Sequence, residues 1–404
     1  MKKRICLFAF IGIVLLIVSF IIIKLTPDNS SSLNSKEDTT EKSISTEPIP
    51  ETVIVENDSS LEEAPSIQII MVGDMLMHER VMESGLLEDG TYNFDHIFVN
   101  VKDTIENADL AIVNQETILG GSELGLSGYP AFNSPYELGD SLVNAGFDVI
   151  LHATNHTLDK GKTGVLNCMN FWDNNYPNIT YLGINKSQEE WNTNIFIYEQ
   201  EGIKIAILNY TYGTNGINPP SDMPYIVNYL DEEKVIQDLA YAEENADFTI
   251  VCPHWGTEYV LTATDSQKNW ARLFMENGAD LVIGTHPHVI EPIEMLTDEN
   301  GNEMLVYYSI GNFVNGTSGT GFGTTNRMLG GIADVTISLN ENKEVYVKEY
   351  DVIPVVCHID EKTNYTVYYL SDYTEDMAKE NDIVSQDSDF SLEALNNLVE
   401  EVWE

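Results

Sequence analysis

Between residues 67 and 310, short apolar runs alternate with longer amphipathic segments. Four of the junctions look alike: IENADLAIV (105–113), VNAGFDVIL (143–151), EENADFTIV (243–251) and ENGADLVIG (276–284). In each, an amphipathic segment closes on Asn with Ala or Gly, and an Asp leads into the apolar run. Asn and Gly suit the residue that ends a helix. Short, unbroken apolar runs are those of strands covered on both faces. The alternation predicts helices over 136–144, 162–174, 232–244 and 266–277. It predicts strands at IQIIMV (67–72), IKIAILNY (203–210) and MLVYYSI (304–310), beside the four junction runs. Helices and strands in turn imply an α/β layered fold. The junctions are repeated connection chemistry, not a sequence repeat. After Gly330 the pattern changes to polar–apolar alternation, in IADVTISL (332–339) and VYVKEYDVIPV (345–355), and antiparallel strands are expected there. The tail from about Tyr373 is acidic and polar, with one helix expected over 392–402.

The N-terminus reads differently. MKKR is followed by an uncharged, mostly apolar run over 5–23, closed by Lys24. That length is enough for a helix to cross a hydrocarbon core. The basic residues precede it, so a single-pass anchor in the cell membrane is expected, with the bulk of the chain extracellular. A cleaved signal peptide is the competing reading; no small-x-small site closes the run. Cys6 stands before the run rather than after it, the wrong place for lipoprotein cleavage. Residues 25–65 are rich in Ser, Thr, Glu, Asp and Pro and read as a flexible stalk. The folded domain then spans 66–356, and 357–404 is an acidic C-terminal extension. Cys168, Cys252 and Cys357 are scattered, with neither a disulfide framework nor a CxxC zinc site.

A formal net charge of −45 keeps the folded part soluble and argues against nucleic acid or anionic lipid as partners. It repels polyanions too, unless bound cations reverse the field locally.

Chemistry-bearing residues gather just past the apolar runs. IQIIMV is followed by Gly73 and Asp74; LAIV by Asn114, Gln115 and Glu116; DVILHAT by Asn155 and His156, with Asp159 beyond. FTIVC is followed by His254, Trp255 and, further on, Glu258; LVIG by His286 and His288; VYYSI by Gly311 and Asn312. Open α/β sheets place their ligand crevice at the carboxyl ends of strands. A set of Asp, Glu, Asn and three His there has the composition of a site for divalent transition metals. Taken singly, Asn and Asp also end strands for turn reasons, and that reading competes at Asn114 and Asn312. Pro287 biases His286 towards extended backbone, which would aim His286 and His288 to the same side.

In order, GDMLMHER, NQET, TNHTLDKG, PHWGTEY, GTHPHVIEP and SIGNFV resemble the CapA-like family of poly-γ-glutamate and capsule biosynthesis proteins. The resemblance covers about residues 66–356. It implies a layered sheet sandwich of the metallo-dependent phosphatase type, with two metals at the strand ends, tethered outside a bacterial membrane. Carried over, Asp74 is a ligand of the first metal and Glu116 bridges the two. Asn155 and His254 bind the second metal, His286 joins the second and His288 the first. His156 is the substrate-facing acid or electrostatic clamp, oriented by Asp159. One position departs from the phosphoesterase pattern. A His is expected two residues after Asp74, where Leu76 stands, and His78 replaces it only if the turn curls back. The cofactor expectation is therefore one or two divalent ions, with zinc, manganese and iron not distinguished.

If catalytic, the site performs metal-assisted hydrolysis: a divalent metal lowers the pKa of water and offsets charge on an anionic substrate. The expected function is that of a membrane-anchored hydrolase or transferase acting on poly-γ-glutamate or a capsule intermediate. Two alternatives stay open: a non-catalytic metal-binding subunit of a membrane synthase or exporter, and a general extracellular phosphoesterase. GTSGTGFGTT (316–325) either lends backbone amides to the substrate or is a mobile flap. Trp255 either walls the site or packs in the core.

Overall fold

Each apolar run is apolar on both faces, so each face needs its own cover, and two stacked sheets with outer helices supply it. The computed structural model describes residues 64–404 apart from 194, 318–322 and 362. The expected anchor over 5–23 and nearly all of the expected stalk lie outside the described residues. Among the described residues, no helix is long and apolar enough to cross a membrane.

In chain order the strands are β1 (Ser66–Leu76), β2 (Leu110–Asn114), β3 (Val149–Leu151), β4 (Thr180–Leu182), β5 (Phe196–Gln200), β6 (Ile203–Thr211) and β7 (Phe248–His254). β8 (Leu281–Ile283), β9 (Ile293–Thr297), β10 (Glu303–Tyr307), β11 (Asn312–Asn315), β12 (Leu329–Leu339), β13 (Val345–Asp360) and β14 (Asn364–Tyr369) follow. One sheet runs β14-β13-β12-β1-β2-β3-β4, with β11 also paired to β1; the other runs β5-β6-β7-β8-β10-β9. β1, β2, β3 and β4 are parallel, as are β6, β7 and β8. The alternation after Gly330 gives β12 and β13, antiparallel as the pattern predicts.

Side chains sort by face. Ile67, Ile69 and Met71 of β1 meet Ile205, Ile207, Ile250 and Ile283 between the sheets. Ile70 and Val72 point the other way, into a cluster with Leu142, Val165 and Trp172 of helices Glu137–Ala145 and Gly161–Asn175. On the far side, Val251 and Val306 pack with Leu239 and Phe274 of helices Glu232–Asn245 and Asp265–Glu276. Burying one such aliphatic side chain is worth roughly 1.5–3 kcal/mol, so the inter-sheet layer alone holds the sheets face to face.

The four junction aspartates share one job. Asp109, Asp148, Asp247 and Asp280 each accept the backbone N–H that opens the neighbouring strand segment, from Gln68, Ala111, Lys204 and Thr249. Each also donates its own N–H to the carbonyl of that same residue. The paired bonds set the register of the parallel neighbours where the strands begin. Gly146 supplies the left-handed helix end expected of its junction (φ 105°).

Two boundaries differ from expectation. The run predicted to be strand over 304–310 leaves the sheet after Tyr307. Gly311, with φ 69°, turns the chain across to β11 in the other sheet; a Cβ there would meet the Leu329 carbonyl oxygen at 2.9 Å. In the C-terminal part, the boundary expected between 356 and 357 falls inside β13. Residues Glu62–Glu404 form one compact unit. Helix Leu392–Val402 buries Leu395 and Leu398, and Trp403 donates its indole N–H to the Glu291 carbonyl (3.0 Å). Cys168, Cys252 and Cys357 are buried free thiols.

Burial raises the Asp280 carboxyl from 3.8 to about 7, against the opposing Thr249 hydrogen bond. The folded state therefore holds a proton that the unfolded chain releases. Stability from this group is present below about pH 4 and is lost as pH rises through about 7. We expect urea unfolding free energies to fall between about pH 4 and about pH 7 by up to a few kcal/mol through Asp280. Asp280→Asn, which keeps the acceptor oxygen without the charge, should flatten that part of the profile.

Candidate metal centre

The carboxyl ends of parallel strands from both sheets meet at one place. β1 delivers Asp74 and β2 delivers Asn114, with Glu116 two residues on. The turn after β3 delivers Asn155 and His156. β7 ends on His254, and the turn after β8 carries His286 and His288. All are buried; Asp74 and His254 are fully enclosed.

Glu116 sits at the centre. Its Oε1 lies 3.7 Å from His288 Nε2, 3.8 Å from His254 Nε2 and 3.9 Å from His156 Nε2. Neither carboxylate oxygen has a hydrogen-bond partner, and His286 Nδ1 and Asn114 Oδ1 are likewise buried without one. Asp74 accepts from Asn114 Nδ2 (2.7 Å) and from the His286 backbone N–H (3.2 Å), and its Oδ2 lies 3.2 Å from His288 Nδ1. His254 Nε2 faces Asn155 Oδ1 at 2.9 Å, and its Nδ1 faces Thr285 Oγ1 at 3.0 Å.

The ligand atoms fall into two groups that share Glu116: Asp74, Glu116 and His288, and Glu116, His254 and His286, each mutually within 4.8 Å. Glu258, which is exposed, forms a third group with His286 and His288. Mixed nitrogen and oxygen donors suit transition metals rather than calcium or magnesium. The electrostatics agree. Burial, then the neighbouring imidazoles, holds His254 and His286 well below the ordinary histidine range. Burial pushes Glu116 well up, opposed by His288 and reinforced by Asp74. Burial acts to lower His288, but Glu116 and Asp74 outweigh it and raise it to about 9. His254 and His286 are thus held in the neutral form in which imidazole binds metal, whereas His288 keeps a proton beside Glu116 and Asp74 that a bound cation would displace. The donor set fits divalent metal, and Glu116 is common to two of the three groups.

His156 stands beside the cluster. Its Nδ1 lies 2.7 Å from Asp159 Oδ2, an acceptor that also takes the Phe132 N–H. With the carboxylate as acceptor, the ring carries its hydrogen on Nδ1, and Nε2 faces Glu116.

All eight residues singled out in the sequence thus lie together: Asp74, Glu116, Asn155, His254, His286 and His288, with His156 and Asp159 at the edge. The backbone of the His-Pro-His turn differs from the extended segment expected. His286 has φ 99° and His288 φ 60°; the rings converge, 5.8 Å apart, because the turn folds back rather than because it is extended. His78 does not replace the ligand absent at Leu76. It packs edge-on against Phe132 (5.1 Å) and belongs to none of the three ligand groups. Trp255 is a core residue, stacked on Phe274 and Tyr308. Of the Gly-rich segment, residues 318–322 lie outside the described residues. Sequence reasoning passed over Tyr212, whose ring lies 4.6 Å from His286, and Asn215, 3.4 Å from His156 Nδ1. Tyr212 directly follows β6, so the rule used for the other strands would have found it.

The family model of the bacterial capsule synthesis protein PGA_cap matches residues 68–317. The chain belongs to that family. It is 32% identical over 174 residues to the PGA biosynthesis protein CapA of Bacillus subtilis, covering 43% of this chain and 44% of that one. It is 24% identical over 261 residues to the capsule biosynthesis protein CapA of Bacillus anthracis, covering 62% and 60%. The matches therefore span only about half the length of these relatives. Among solved structures, NAD nucleotidase of Haemophilus influenzae is 14% identical, with TM-score 0.47 and coverage of 84% of this chain and 60% of that one. The 5'-nucleotidase precursor of Thermus thermophilus is 13% identical, with TM-score 0.43 and coverage of 83% and 59%. At these TM-scores the likeness carries no argument about chemistry.

Two ligand groups sharing one carboxylate predict about two metal equivalents per chain by mass spectrometry of the purified protein. Glu116→Gln should lower this to one or fewer, because it weakens both groups together. His288→Ala should remove about one equivalent and leave the other.

Proposed function

We propose that this chain is a metal-dependent hydrolase or transferase of capsule assembly, acting on an anionic surface polymer such as poly-γ-glutamate or on its intermediate. The observation that supports it best is the Glu116 carboxylate, buried, without a donor, and shared by two ligand groups beside an oriented histidine. The run over 5–23 would tether it to the outer face of the cell membrane, where membrane synthase or exporter subunits are its candidate partners.

In this reading Asp74, Glu116 and His288 hold one divalent ion, and Glu116, Asn155, His254 and His286 hold the other. When bound, such ions lower the pKa of water and offset negative charge on the substrate. The protein does the rest. Asp74 fixes the His286 backbone through its N–H and so sets the turn that presents both imidazoles. Thr285 and Asn114 flank His254 Nδ1 and leave Nε2 towards Asn155 and Glu116. Asn312 Oδ1 lies 3.0 Å from His288 Nδ1, and Asn312 Nδ2 donates to the His288 carbonyl (3.0 Å), which orients that ring. Asp159 holds the Nδ1 hydrogen of His156, so Nε2 is the free ring nitrogen; once Nε2 has taken up a proton, the imidazolium would deliver that proton to the leaving group or clamp its developing charge.

A second reading, a non-catalytic metal-binding subunit of a synthase or exporter, draws support from the depth of the cluster, whose six ligands are all nearly inaccessible to solvent. Turnover separates the two. Metal-loaded protein should be assayed against γ-glutamyl amides and a panel of phosphomonoesters and diesters. We expect His156→Ala to lower turnover by about a hundredfold or more with metal content unchanged, and Asp159→Asn to lower it less. Metal retained with no turnover of either substrate class would leave the binding-subunit reading.

A further inference from the structure

The chain has 20 Lys and Arg against 65 Asp and Glu, so positive charge is scarce. Among the described residues, Arg327 takes part in none of the ion pairs to a carboxylate. Its guanidinium carbon instead sits 3.9 Å over the Tyr259 ring. One terminal nitrogen donates to Thr317 Oγ1 (3.1 Å), and the buried Nε has no partner. The Tyr259 ring lies 5.9 Å from the His288 ring. Arg327, Tyr259 and His288 line one cavity of about 150 Å³ together with Leu76, His78 and Asn315.

The position of this charge is tied to the cluster by two routes. The Tyr259 backbone N–H is bonded to the Pro287 carbonyl (2.7 Å), inside the His-Pro-His turn. Asn312 Nδ2 donates to both the Arg327 and the His288 carbonyls (3.0 Å each). A guanidinium laid over an aromatic ring keeps its in-plane donors free at the edge, and that fork matches carboxylate and phosphate oxygens two at a time. The overall field of this protein repels anions, so an anionic ligand needs a fixed local positive charge. Arg327 lies beyond the segment matched by the family model, which ends at residue 317.

We propose that Arg327 is a specificity-determining residue: it receives a carboxylate or phosphate group of the substrate at the cluster and so restricts the site to anionic substrates. This rests on the reading that substrate binds at that cluster. The test uses the full chain and its Arg327→Gln and Arg327→Lys variants, with folding checked by circular dichroism and metal measured in every sample. Inorganic phosphate, glutarate and uncharged glutaramide are titrated calorimetrically. Arg327→Gln should weaken phosphate or glutarate binding by about tenfold or more, with metal content unchanged and glutaramide unaffected. Arg327→Lys should restore phosphate better than glutarate, because a point charge replaces a fork. Loss confined to phosphate or to glutarate identifies which anion the site takes. Unchanged affinity for both anions in Arg327→Gln, or no anion binding by the wild type, overturns the proposal. A chain without metal that still loses anion binding in Arg327→Gln supports Arg327 and removes the metal reading; a metal-loaded chain with unchanged anion binding does the reverse.

Discussion

Burying the Glu116 carboxylate with no donor to either oxygen costs several kcal/mol unless a positive charge compensates it. The surroundings do not supply that charge as hydrogen bonds. They supply imidazole nitrogens at 3.7–3.9 Å, too far to bond to the carboxylate directly and near enough to share an ion with it. Burial keeps His254 and His286 neutral, so of the ligand-group imidazoles only His288, raised to about 9, offsets it as a cation. The other features of the site follow from this constraint. Glu116 is the residue common to two candidate ligand groups, one completed by Asp74 and His288 and the other by His254 and His286.

The fold meets the demand for several converging side chains by stacking two sheets whose parallel strands end at the same rim. Parallel strands carry their loops at one end, and the junction aspartates secure the opposite end. Asp109, Asp148, Asp247 and Asp280 each tie a strand start to its neighbour through a two-way bond. The motif that recurs in the sequence is thus a register device, and the chemistry sits a strand's length away from it. This division lets the ligand loops adopt irregular backbone without loosening the sheets.

That irregularity is concentrated in one turn. His286 and His288 both have positive φ, a conformation costing a side-chain-bearing residue on the order of 1–3 kcal/mol. Asp74 and Asn312 hold the turn by its backbone, and Tyr259 bonds to the proline carbonyl between the two histidines. The same contacts place Arg327 at the rim of the cluster. Positive charge is scarce in this chain, and Arg327 sets one in the cavity that His288 also lines.

Much of the fold was legible in sequence. The helices over 232–245 and 392–402 lie where periodicity puts them, and so do β6 and the antiparallel β12 and β13, because burial of one face or two leaves a local pattern. The metal-type side chains were legible as well, since Asp, Glu, Asn and His just past apolar runs have few other uses in such number. What the sequence by itself determined was therefore the kind of layer and the kinds of ligand. Tertiary structure alone decided which ligands share Glu116, that His78 stands aside, and that the His-Pro-His turn folds back instead of extending. It also decided that Arg327, Tyr259 and His288 line one cavity. These are pairings between residues far apart in the chain, such as Asp74 with His286 at a separation of 212. No local period encodes them: the distance between two side chains on different strands is set by sheet order, register and twist, which come from packing of the whole core.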